Sequence, residues 1–291
     1  MRRVLPYLLL VVLAVIHVIA VGNLSRADAV RTMPENPLYV LPSSIMKVAS
    51  LDYDGIVSDF LFIEGMAYLG SNFQYQGNIL RIPLTEPQWK WFYGVMDVAS
   101  DLDPYFLDPY YIVNSFLTWE AGMVREANAL LEKGSRYRYW DWTIPFLIGF
   151  NQFFFLQEND KAADSLMEAS RRPGASPVLA SLASKLAFKA HRTENSILFL
   201  EEMIRKTDDE SMKKLFETRV EAFKAILALE KGVVDYRKKF RRAPANLEEL
   251  VKRHIIAEIP KDPYGGKYSL DAPGRVRSTS EDQLMPHVKD K

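Results

Sequence analysis

Asp101 and Asp103 stand two residues apart, a spacing at which one carboxyl can hold a proton while the other accepts one, as general acid–base chemistry requires. Asp103 precedes Pro104, a position that disfavours helix and suits a cap, so the pair reads first as an element boundary. The histidines are His17, His191, His254 and His287, none spaced to share a helix face with another and none in an HExxH pattern. No GxxxxGK[ST], GxGxxG or GxSxG occurs, which removes the usual phosphate cradles and the serine elbow. The chain has no cysteine, so disulfides, thiolate metal sites, cysteine nucleophiles and lipidated-cysteine anchors are all excluded. Asp262 lies in a Pro- and Gly-rich turn, but a single carboxylate is a poor hard-cation site. The expectation is a chain with no cofactor, no metal and no catalytic residues.

Binding chemistry is better represented. Trp89, Trp91, Phe92, Tyr93, Tyr110, Tyr111, Trp119, Trp140, Trp142, Phe146, Phe150, Phe153, Phe154 and Phe155 crowd one stretch. Most such rings belong in a core, and residues 143–156 are apolar all round, which predicts a helix buried on most sides. Tyr111, Trp119 and Asn151 are the candidates for a surface that takes up a peptide or a partner helix. Lys plus Arg and Asp plus Glu each number 37, so no global charge points to nucleic acid. Residues 26–141 carry 9 bases and 15 acids, a net of −6, which suits a basic or neutral partner. The densest basic run, Arg237 to Arg242, reads as a solvated helix end favoured by the helix dipole.

The elements that would position these residues begin at the membrane. Arg2 and Arg3 precede an apolar run from Val4 to Gly22, interrupted by His17. As a helix it would span roughly 28 Å, the thickness of a bilayer core, with its N-terminus cytoplasmic. An uncleaved anchor and a cleaved signal, with small residues at Ala20 and Gly22, are the two readings; either exports the body, here expected on the periplasmic side of a bacterial inner membrane. The sequon Asn23-Leu24-Ser25 abuts this run and carries little weight.

A repeat follows. Phe92, Ala127, Ala162 and Ser196 fall at intervals of 35, 35 and 34 residues; four places on stand Met96, Leu131, Leu166 and Leu200, and three further Ala99, Gly134, Ala169 and Met203. Positions i, i+4 and i+7 form one helix face, so one such face recurs per unit, with small residues that let a neighbour approach. Val113, Ile148 and Leu182, followed by Asn114, Gly149 and Ala183, mark a partner helix. Two helices per 34 residues, with Ala99-Ser100-Asp101-Leu102-Asp103-Pro104 closing one unit, resemble tetratricopeptide repeats over residues 86–206. No unit carries the full Trp, Leu-Gly and Tyr signature. The resemblance implies an all-α helix-turn-helix solenoid that binds other proteins along its inner curve.

Flanking the repeats, residues 55–69 predict a helix, 71–84 a long polar loop, and 210–240 a closing helix with Leu215, Val220, Phe223, Ile226, Leu227 and Val234 as its buried stripe. Thr85-Glu86-Pro87-Gln88, Asp108-Pro109 and Ser176-Pro177 are helix starts. Asn246-Leu247-Glu248-Glu249 opens a short helix through His254, and Lys267–Leu270 would pair with Arg275–Arg277. From Tyr236 to the Asp262-Pro263-Tyr264-Gly265-Gly266-Lys267-Tyr268 turn the chain resembles the C-terminal part of type II secretion and type IV pilus pseudopilins, although the first helix lacks their Glu. In that family the turn orders the subunit and can hold calcium. The domain reading is residues 1–24 membrane helix, 25–54 linker, 55–240 repeat domain, 241–277 helix-plus-hairpin module and 278–291 flexible tail. The functional expectation is a non-catalytic, membrane-anchored scaffold for other proteins in assembling an envelope machine such as a pilus or secretion system. A glycan- or lipid-binding module using an aromatic groove, and an all-helical enzyme, are the competitors.

Overall fold

The computed structural model describes residues 10–19, 40–77, 79–271 and 275–280. Residues 10–19 form helix α1, exposed along its length. Of the expected membrane span, residues 4–9 and 20–22 lie outside the described residues, as do the sequon at 23–25, the linker to 39, the turn at 272–274, His287 and the tail from 281. No helix among the described residues is long and apolar enough to cross a membrane.

The chain is mostly helical, as expected. In order come α2 (Ser43–Ala49), α3 (Asp54–Ser71), β1 (Gln74–Gln76), β2 (Ile79–Arg81), α4 (Glu86–Leu102), and α5 (Asp108–Phe116), which runs into a π-helical turn (Leu117–Ala121). Next are α6 (Val124–Tyr137), α7 (Thr143–Phe154), α8 (Asn159–Arg171), α9 (Pro177–Lys189), α10 (Thr193–Lys206) and α11 (Glu210–Phe240). The chain closes with α12 (Glu248–Lys252), β3 (Tyr268–Leu270) and β4 (Val276–Ser278). From α3 to α11 the helices pack against one another in chain order, α3 on α4 and α10 on α11 at the two ends.

The helix starts follow the cap chemistry. The Thr85 backbone N–H donates to Gln88 Oε1 at 2.8 Å, completing a capping box at α4. Asp209 Oδ1 accepts from the Ser211 and Met212 N–H groups at 2.9 and 3.1 Å and opens α11. Pro109 and Pro177 sit in the first turns of α5 and α9, where no amide donor is needed.

The repeat positions are core positions. Phe92, Ala127, Ala162 and Ser196 are fully buried on the alternate helices α4, α6, α8 and α10, and the two sets of residues further along the same faces are buried with them. Close approach is real at the glycines: a Cβ on Gly134 would stand 2.8–2.9 Å from the Tyr110 ring, pressing α5 on α6, and one on Gly149 would stand 2.8 Å from Leu166, pressing α7 on α8. Two arginines 34 residues apart tie successive units through backbone carbonyls. Arg138 donates to Tyr105 O at 2.6 Å, and Arg172 to Asp141 O at 2.7 Å and Arg138 O at 3.1 Å. Two apolar cores result, one from Leu61 to Ile148 and one from Ala162 to Val276, with α7 contributing to both.

Several expectations need correcting. Residues 71–84 hold a two-stranded antiparallel hairpin, Gln76 paired with Ile79 across a two-residue turn, rather than an unstructured loop. The buried stripe of α11 runs through Phe216, Val220, Phe223, Ile226, Leu229, Val233 and Tyr236; Val234 is exposed, and Leu215 and Leu227 are half-buried. The stripe also takes in Arg219, whose Nη1 donates to Ser181 O at 3.1 Å and to the hydroxyls of Ser181 and Ser184 at 2.8 and 3.2 Å. At the C-terminus the short helix ends at Lys252, and the hairpin is one residue out from the expected pairing, with Tyr268 opposite Ser278.

Candidate interaction surface

Three buried asparagines set the frame. Asn151 Nδ2 on α7 donates to Asn114 Oδ1 on α5 and to Asn128 Oδ1 on α6, both at 2.8 Å. A buried amide must be hydrogen-bonded, and this one spends both of its N–H bonds on holding three helices in register. Asn151 is therefore an internal strut, and the expectation that it faces a partner is corrected: its polar atoms are used inside.

The register places an aromatic stripe. Trp142, Phe146, Phe150 and Phe154 recur every fourth residue on α7, with ring centroids 6.0, 6.3 and 5.4 Å apart in turn. At the far end Phe154 meets Trp119 at 5.9 Å, and Phe155 meets Trp119 edge-on at 4.8 Å. Trp119 belongs to the π-helical turn, which Gly122 ends in the left-handed conformation at φ 68°. Ile144, Ile148, Asn151 and Gln152 are buried on α7, which packs against α6 and α8, and Phe146 and Phe153 lie half-buried against the core that runs from Ala162 to Val276. Trp119 is 57% exposed and Phe154 50%, whereas Trp89 and Trp91 are buried. α7 is buried on most sides, as expected: Ile144, Ile148, Gly149, Asn151 and Gln152 are buried, Trp142, Phe146, Phe150 and Phe153 are half-buried, and Phe154 at its end is exposed.

Tyr111 lies half-buried at the opposite end of the stripe, near Thr143 at the start of α7. Burial pushes its phenol up, with the Thr143 hydroxyl acting in the other direction. Tyr111 and Trp119 thus stand eight residues apart on one continuous helical stretch, a rise of about 12 Å, near the two ends of α7. Further along, Lys185 on α9 has its ammonium pushed down by burial and by the neighbouring Arg219.

A second ring cluster, Tyr105, Tyr137, Tyr139 and Trp140, sits at the ends of the α4–α5 and α6–α7 connections. Trp140 stacks on Tyr105 at 6.1 Å and takes the Arg138 guanidinium over its ring at 5.5 Å. Its ring is engaged within the protein.

The carboxylates singled out in the sequence are occupied. Asp97 and Asp101 both bind Lys133 Nζ, at 2.5 and 2.8 Å, and Asp103 Oδ1 accepts the Tyr105 N–H at 2.9 Å, a turn-capping role. Asp262 is buried; it accepts the Tyr264 N–H at 2.9 Å and the Ser278 hydroxyl. No group of three or more metal-ligating side chains converges among the described residues. His191 Nδ1 stands 2.9 Å from Arg275, and burial and the Arg275 and Arg277 charges push its imidazole down. The Asn114–Asn128–Asn151 network and the Arg138–Arg172 ties escaped the sequence reading; the 34-residue spacing of the two arginines was the available signal.

No protein-family model matches the chain, and no curated protein is significantly similar to it.

Proposed function

We propose that this chain is a non-catalytic, membrane-anchored scaffold that binds an apolar peptide or helix of another protein along the α7 aromatic band. In this reading its helix pairs form a tetratricopeptide-like solenoid, residues 4–22 hold it at a bacterial inner membrane, and the body works on the periplasmic side, in assembling an envelope machine. The observation that carries the reading is the row of rings from Trp142 to Phe154, half-buried along α7 and opening to solvent at Phe154 and the adjoining Trp119. An exposed ring pair such as Trp119 and Phe154, backed by a packed row of rings, is what an apolar partner segment buries, and rings lose little freedom on binding. The acidic excess of residues 26–141 favours a partner segment with neutral or basic flanks.

A photoreactive benzoylphenylalanine placed at Trp119 or Phe154 in the full chain tests this in cells. Discrete protein adducts are expected from both positions and not from exposed Val234 on α11. Equal yields at all three positions, or none at 119 and 154, would count against the reading. A glycan or lipid partner is favoured by the exposure of Trp119; Trp140 is exposed as well but stacks on Tyr105 and carries the Arg138 guanidinium. Non-protein adducts at 119 would support it.

A further inference from the structure

Helix α3 has two apolar sides and one covering. Ser58, Leu61, Gly65, Tyr68 and Leu69 face inward, and α3 packs on α4. On the opposite side Ile56, Phe60 and Ile63, spaced i, i+4 and i+7, are 62–66% exposed. Just before them Leu51 and Tyr53 are exposed as well, and Leu51 holds a left-handed backbone at φ 49° while its side chain stays outside. A bulky residue in that conformation is a strained one, and nothing in the packing of Leu51 rewards it. A helix with apolar stripes on opposite sides calls for an apolar covering on each.

Position in the chain says what the second covering is. The apolar run ends at Gly22, and residues 23–39 separate it from the first residue of the body, Val40. Seventeen residues reach at most about 60 Å. With residues 4–22 in a bilayer, that tether keeps the body within reach of the bilayer's surface. We infer that the Ile56–Phe60–Ile63 face of α3, with Leu51 and Tyr53, docks into the interfacial layer of the membrane that anchors the chain. The inference rests on the anchoring reading above. The exposed charges around the face select the lipid: Asp52, Asp59 and Glu64 are acidic, against Lys47. Such a rim is repelled by an anionic leaflet and accepts the ammonium groups of zwitterionic headgroups. Insertion of such a face to a shallow depth is the arrangement of interfacial amphipathic helices. It would also fix the orientation of the body, with the α7 band held at a set height above the surface.

Because the chain lacks cysteine, one introduced thiol can carry a nitroxide. F60C, I63C, L13C and Y139C are each labelled in the full chain and reconstituted in nanodiscs of phosphatidylcholine and phosphatidylethanolamine. At 60 and 63, as at 13, collisions with dissolved oxygen should exceed those with a water-soluble nickel chelate severalfold; at 139 the order should reverse. Labels at 60 and 63 that behave like 139 while 13 stays in the bilayer would overturn the docking and leave the anchor standing. Water exposure at 13 would remove the anchor and the docking together. Spin–spin broadening at 60 that vanishes on dilution with unlabelled chain would assign the face to a second copy instead. Replacing a third of the lipid by phosphatidylglycerol should lower the oxygen-to-nickel ratio at 60; a rise would overturn the headgroup assignment.

Discussion

Replacing Asn151 by Asp tests whether the asparagine strut is what holds α5, α6 and α7 in register. The wild-type amide gives one hydrogen bond to Asn114 and one to Asn128, each 2.8 Å and each buried. N151A removes both donors and leaves two buried carbonyl oxygens without partners, at about 1–3 kcal/mol apiece, so a loss of about 3 kcal/mol independent of pH is expected. N151D behaves differently because its carboxyl faces two acceptors. Only the protonated acid can donate, so its folded-state pKa lies above its unfolded value of about 3.9. Below that pH it keeps one of the two bonds and should cost about 1–2 kcal/mol. Above it, stability falls by about 1.4 kcal/mol per pH unit until the folded pKa is reached. The two variants therefore cross: N151D is the more stable at pH 4 and the less stable at pH 7. Urea unfolding at both pH values, followed by tryptophan fluorescence, reads the order directly. An N151D stability that tracks N151A at both pH values would refute the buried-acceptor account.

Three further perturbations follow from the packing. G134A should cost about 1–3 kcal/mol, because the Tyr110 ring lies 2.8–2.9 Å from where the methyl would sit, while G70A, with nothing within 4 Å, should be neutral or gain up to about 1 kcal/mol; thermal melts of the pair check the contrast. G266A places a methyl 2.6 Å from Asp262 Oδ2 and 2.9 Å from the Ser280 amide, so faster amide exchange in β4 is expected, with exchange in α6 unchanged. Arg171, aided by Lys206, holds the Glu202 carboxyl at about 2. That depressed value gives stability present above about pH 4.5 and lost as the pH falls towards 2. E202Q should remove at most about 1 kcal/mol of it, given the partial solvent exposure, and flatten the acid limb of the melting curve; an unchanged limb would show that the pair is not coupled to folding.

Helices and their faces were legible in this chain because each is written redundantly. The limits of α11 are marked by Asp209 at one end and by the basic last turn, Arg237 to Lys239, at the other. The faces of α4, α6, α8 and α10 are written once per unit, and a misjudged residue in one is outvoted by the rest. The hairpin at 74–81 was missed although Gly77-Asn78 is a two-residue turn signal, because its strands are only three residues long and carry Gln and Arg among their apolar positions. Asn151 was misplaced for a different reason. A lone amide in an apolar helix is equally compatible with a surface contact and with a buried strut, and only the arrival of Asn114 and Asn128, 37 and 23 residues earlier in the chain, decides between them. Val234 and Arg219 show the same limit on α11: a stripe drawn by apolarity alone chose the valine, but the helix turns its Arg219 side inward because Ser181 and Ser184 on α9 supply acceptors there. The interaction band itself sits between these cases. Its rings were visible in the sequence, but that Phe146 packs on the core while Phe154 and Trp119 reach solvent depends on the fit of several helices at once. Which rings reach solvent is therefore decided by what the neighbouring helices leave uncovered, which a single helix's periodicity does not contain.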